Sequence, residues 1–149
     1  MLALFTGLVL GQDPSCPCLT SFPNSVTLNA NGNLDITLGG VTYEYPSTYG
    51  LGPNCSAADT GLSPYCSATT PPEWCADSWC YVDSANCGVT YSFSQYIPGL
   101  AFSYFTCGGS NTFDDWFNSP TASSYQLSDL TTLMNGCAGP ASKPTSRPG

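Results

Sequence analysis

Ten carboxylates, nine cysteines and no histidine limit the chemistry open to this 149-residue chain. Without histidine, neither a Ser-His-Asp nor a Cys-His relay can be built. Acid–base work would fall to paired carboxylates: Glu73 with Asp77, Asp77 with Asp83, or Asp114 with Asp115. Glycoside hydrolysis needs two such groups across a cleft. A chain this small that spends its cysteines on cross-links leaves little room for one. The expectation is a non-enzymatic protein without catalytic residues or cofactor, its acids forming a solvated surface. Asp77, Asp83 and Asn86 also offer oxygen ligands to a hard cation such as calcium. No EF-hand spacing accompanies them, and hydrogen bonding of loop amides is the plainer use.

The cysteines are Cys16, Cys18, Cys55, Cys66, Cys75, Cys80, Cys87, Cys107 and Cys137. Their close spacings are C-x-C, C-x4-C and C-x6-C. Zinc sites instead show C-x2-C pairs or histidine ligands. These spacings point to disulfides and an oxidising compartment, not to a metal. Trp74, Trp79, Tyr81 and Trp116 have two uses: a flat platform for stacking sugars, or rings that cover disulfides and fill a small core. Asn54-Cys55-Ser56 fits the N-glycosylation pattern, whereas Asn118-Ser119 is followed by Pro120 and does not. Thr145 and Ser146 are candidates for O-linked sugars.

Charge narrows the partners. Only 8% of residues are charged, against about 25% in typical domains. The two cations, Lys143 and Arg147, lie at the end of the chain, so residues 1–142 carry ten acids and no base. Ion pairs cannot stabilise such a body. Nucleic acid is not an expected partner, because nothing neutralises its phosphates.

The elements that must position these residues read as mainly β, with small helical content. The expected fold is a disulfide-stapled antiparallel sheet or sandwich with a short C-terminal helix. Residues 25–46 alternate apolar and polar with period two and predict a meander. A three-residue turn, Ala30-Asn31-Gly32, would set Leu28 opposite Leu34 and Val26 opposite Ile36. A Gly39-Gly40 turn would set Leu38 opposite Val41, Ile36 opposite Tyr43 and Leu34 opposite Tyr45. All eight apolar side chains then share one face. "VTYSFSQY" and "LAFSYFTC" predict a further strand pair through Pro98-Gly99. "NTFDDWF" predicts one or two helical turns capped by Asn111 or Thr112. Leu127, Leu130 and Met134 stand at helical spacing before an Asn135-Gly136 stop. The expected organisation is an apolar segment over 1–11 and one disulfide-rich domain over 12–138. Within that domain lie the cysteine framework at 49–109 and the helical part at 110–136. A Pro/Ser/Thr tail follows at 139–149.

The segment "LALFTGLVL" has the length of a signal-peptide apolar region, with Val9-Leu10-Gly11 an acceptable cleavage site, but it lacks a basic flank. Nine residues cannot span a membrane. Burying Leu2, Leu4, Phe5, Leu8, Val9 and Leu10 gains roughly 1.5–3 kcal/mol each. Ordering nine backbones costs roughly 1–2 kcal/mol each. Near balance, the segment is expected to pair its backbone as well, as a strand added to its own sheet or to a neighbour's.

"YGLGPNCSAAD", "PPEWCADSWCYVDSANC" and "YIPGLAFSYFTCGG" resemble a cysteine-rich extracellular module of microalgae and other protists, with the pattern W-C-x3-W-C-Y-V-D-x3-C followed by Y-S-Y-x-T-C-G. The likeness runs from about Tyr49 to Gly109. It departs at Ser84, where the family usually has Pro, and at Ala58, where it has a bulky ring. The resemblance implies an extracellular or cell-surface location and a framework of Cys55, Cys66, Cys75, Cys80, Cys87 and Cys107. Cys137 is then free to tie to Cys16 or Cys18, and one of the nine stays free or bonds another chain. The expected function is an extracellular structural subunit that assembles with copies of itself, into a fibril or surface coat, through its N-terminal strand. A carbohydrate-binding or adhesion module using the Trp/Tyr cluster is the alternative.

Overall fold

The structure is a computed structural model and describes residues 11–119. Its strands form two antiparallel sheets. The first is a hairpin of β1 (Leu34–Leu38) and β2 (Val41–Tyr45). The second has three strands in the order β3 (Cys80–Val82), β5 (Ala101–Ser103), β4 (Ser92–Phe93). Three short 3-10 turns, at Glu73–Ala76, Ser84–Asn86 and Phe105–Cys107, and one helix, α1 (Thr112–Phe117), complete the described elements. No helix among the described residues is long and apolar enough to cross a membrane.

The hairpin takes the register that period two demands. Leu34 faces Tyr45, Ile36 faces Tyr43 and Leu38 faces Val41. Along β1 the apolar residues are buried and Asp35 and Thr37 are exposed. Gly39 and Gly40 both have positive φ, 56° and 79°, the conformation that a two-residue turn between twisted strands requires.

The expected first strand of the meander does not form. The turn itself is as read: Gly32 has φ 79°, and the Asn29 amide donates to the Asn33 carbonyl at 2.8 Å. But Asn29 Oδ1 accepts from the amides of Asn31 and Asn33, a local bond that competes with a ladder. The Val26 amide turns back to Pro23, and Leu28 is left exposed. The meander is therefore a hairpin preceded by a loop.

The pair joined through Pro98-Gly99 is present as β4 and β5, with Ser92 opposite Phe102 and Phe93 opposite Ala101. On its other side β5 carries β3, with Cys80 opposite Ser103. Every residue of β3 and β5 is buried, which places this ladder inside the molecule. Asn111 caps α1 by accepting from the Asp114 amide at 3.0 Å. The apolar segment through Leu10, the helical spacing at 127–134 and the tail with Thr145 and Ser146 lie outside the described residues.

Four disulfides tie these elements: Cys16–Cys87, Cys18–Cys80, Cys55–Cys107 and Cys66–Cys75. Two expectations are corrected. The six cysteines of the resemblance do not close among themselves, because Cys80 and Cys87 bond Cys18 and Cys16. Cys137 consequently has neither of its expected partners. The reason is spatial: the connector before the hairpin lies along β3, with Cys18 bridged to Val82 and the Leu19 amide donating to the Tyr81 carbonyl. Cys75, Cys80 and Cys87 each bond a cysteine outside their own stretch, so "WCADSWCYVDSANC" is a hub rather than a closed knot.

Candidate functional site

Between the hairpin and the β3–β5 ladder lies a cavity of about 70 Å³. β1 supplies Ile36 and Leu38 to its wall, β3 supplies Tyr81, and β5 with the residue after it supplies Phe102 and Tyr104. Trp79, just before β3, and Trp74, in the first 3-10 turn, line it too. The wall rings meet edge to face: Trp79 and Tyr81 at 5.0 Å and 87°, Trp79 and Tyr49 at 5.2 Å and 79°, Trp74 and Phe113 at 5.0 Å and 89°. Such contacts set the positive edge of one ring on the negative face of another. Exposed Gln95 and Tyr96 stand at the rim.

One charged group sits in this aromatic wall. Asp59 is 7% exposed and lines the cavity. Its Oδ1 accepts from the Tyr49 hydroxyl at 2.6 Å, and its Oδ2 accepts from Trp79 Nε1 at 2.6 Å. No base exists anywhere in residues 11–119 to pair with it. Burial raises the Asp59 carboxyl above the usual aspartate value, and the two donors pull against that rise without cancelling it. Burial, with Asp59 next, also pushes the hydroxyls of Tyr45, Tyr49, Tyr81 and Tyr104 upward, so they stay neutral. A second polar atom in this wall, Trp74 Nε1, is buried without a hydrogen-bond partner among the described residues. A largely aromatic lining with a few placed polar groups is the lining typical of small-ligand sites.

Gly50 holds the floor. Its carbonyl accepts from the Tyr81 amide at 2.8 Å, at φ 67°. A methyl there would come within 2.7 Å of both the Trp79 and the Tyr81 rings. Gly50→Ala is therefore expected to destabilise the fold by at least about 1–3 kcal/mol, from overpacking and a positive φ together. Chemical denaturation followed by tryptophan fluorescence measures this.

The residues singled out by sequence fall elsewhere or serve other ends. Trp74, Trp79 and Tyr81 are 5%, 4% and 3% exposed. The exposed sugar platform is corrected: three of its four rings are core, and partly exposed Trp116 packs against Trp74 at 5.3 Å. Asp77 accepts from the Thr112 hydroxyl. Asp83 accepts from the Ala85 amide and from Asn86 Nδ2, so Asp83 braces its own turn, while Asp77 ties the first 3-10 turn to the start of α1. Asp114 is buried and bonds Asn111, while Asp115 and Glu73 are exposed. Asn54 is exposed. The only group of metal-ligating side chains found together among the described residues is Cys18, Cys55, Cys80 and Cys107, with sulfurs within 4.8 Å of one another. All four are consumed in two disulfides. Asp59, the central group of the cavity, was not singled out by sequence at all. Searches of protein-family models, curated proteins and solved structures find no match to this chain.

Proposed function

We propose that this chain is a non-enzymatic structural subunit of an extracellular or cell-surface setting that assembles with copies of itself. The observation that carries the reading is the cysteine pairing. Eight cysteines satisfy one another in four disulfides, and the ninth, Cys137, has none left in its own chain to bond. A fold so stapled suits an oxidising compartment, where an odd thiol finds another chain. The resemblance to secreted modules of microalgae and other protists supports the same setting.

Strand addition supplies a second contact. β2 and β4 each have one edge with no strand partner among the described residues, and Val41 and Phe93 on them are exposed. Unpaired edges with apolar side chains are templates for another strand, and residues 1–11 are apolar enough to be that strand. Head-to-tail contacts that do not close into rings build filaments.

Light scattering and non-reducing electrophoresis test this. The oxidised full chain is expected to form covalent dimers and larger assemblies. Cys137→Ser should remove the covalent link, and deleting residues 1–11 should remove the larger assemblies. A monomer with one titratable thiol, unaltered by the deletion, overturns the reading.

A further inference from the structure

We propose that the cavity beside Asp59 is a binding site for an alkylammonium group, such as a small primary amine or a lysine side chain. A carboxylate offers about four acceptor positions. Tyr49 and Trp79 take one on each oxygen, leaving acceptor capacity on a group that lines the cavity. Aromatic rings line the cavity around it, and such rings attract a cation, most strongly where water is excluded. Ammonium is all donor and needs acceptors, and Asp59 is the one charged acceptor among the lining residues. An anion would meet Asp59 itself and a body without a single base.

Size sets the rest. The cavity, about 70 Å³, is roughly half the volume of an engineered 150 Å³ cavity that takes up benzene. It suits an ammonium head and the first carbons of a chain that leaves past Gln95 and Tyr96. Two sources share that chemistry: an amine from outside, or Lys143, the only lysine of the chain. The inference does not depend on self-assembly.

The probe is n-butylammonium against its neutral isostere n-butanol, added to the full-length chain in 0.15 M salt. Indole N–H resonances report on three tryptophans. Trp74 and Trp79 line the cavity; Trp116 does not. Butylammonium is expected to bind at least about tenfold tighter than butanol. It should move the Trp74 and Trp79 signals more than that of Trp116. Asp59→Asn should erase the preference. If that variant does not fold, the amine-to-alcohol ratio of the wild type decides alone. A rise in butylammonium affinity in Lys143→Ala identifies the chain's own lysine as occupant, and an unchanged affinity points to an external amine. Equal binding of amine and alcohol, or unmoved Trp74 and Trp79 signals, overturns the site.

Discussion

Replacing Cys18 and Cys80 together by serine is expected to cost about 4 kcal/mol of stability, and the same change at Cys66 and Cys75 about 2.5 kcal/mol. The difference comes from the loops closed. Cys18–Cys80 spans 62 residues and Cys66–Cys75 spans 9, and the entropy a cross-link removes from the unfolded chain grows with the logarithm of that span. The native state adds to the ranking. Cys80 is 1% exposed and Cys18 is 7% exposed, and their bridge fixes the connector against β3, the strand that carries Tyr81 into the cavity wall. Domains of this size have only about 5–15 kcal/mol to lose. Without ion pairs in the body, hydrophobic burial and hydrogen bonds alone must hold what the bridges release. The measurement is urea unfolding of the two double variants side by side under non-reducing conditions. Equal losses would mean that closing a long loop is not how these bridges stabilise the fold. A wild type whose melting is unmoved by reductant would remove the disulfides from the stability argument altogether.

What was legible in the chain follows what is local. β1 and β2 were readable because alternation over five residues and a Gly-Gly turn specify a register without outside help, and a one-residue slip would expose Leu34, Ile36 and Leu38 together. The cap of α1 was readable to within one residue, Asn111 or Thr112, for the same reason. The first meander strand was misread because the period of "VTLN" was right while Asn29, through its own side chain, supplied the bonds a ladder would have made. β3 was unreadable as a strand: three residues buried on both faces leave no alternation, and its place beside β5 is set by contacts from far along the chain. The cavity failed for a related reason. Asp59 sits in "CSAADTGL", a polar stretch that looks solvated, and its donors Tyr49 and Trp79 stand 10 and 20 residues away. The acids that drew attention were those close together in sequence, yet Asp77 bonds Thr112 at the start of α1, Asp83 bonds its own turn and Asp115 faces water. The absence of bases did carry a usable signal, since any buried acid in such a body must rely on neutral hydroxyl, indole or amide donors.

Asp59 contributes a pH dependence of stability that is unusual in sign. Its carboxyl is raised by burial, the hydrogen bonds from the Tyr49 hydroxyl and the Trp79 indole offset the rise only in part, and there is no cation among the described residues. Between the ordinary aspartate value of 3.8 and its own raised value, the folded chain binds a proton that the unfolded chain does not. Stability from this group is therefore fully present below pH 3.8 and is lost as pH rises through the raised value, the reverse of a salt-bridged aspartate. Each unit of displacement is worth about 1.4 kcal/mol. The group cannot simply be removed to recover that energy, because Asp59→Ala strands the Tyr49 hydroxyl and the Trp79 indole N–H. A buried unpaired donor costs about 1–3 kcal/mol, so the variant is expected to lose roughly 2–6 kcal/mol at pH 7. Asp59→Asn keeps one acceptor, turns its amide toward the other donor, and should lose about half as much. Unfolding free energies of the wild type and Asp59→Asn at pH 4 to 7 separate the two effects. The wild type is expected to gain on the variant as pH falls through that window, while titrations elsewhere cancel in the difference. A pH-independent difference would mean that Asp59 is not raised by its surroundings, and a difference that grows toward neutral pH would mean that it is stabilised as a carboxylate by a cation that reaches it from beyond residues 11–119 or from another molecule.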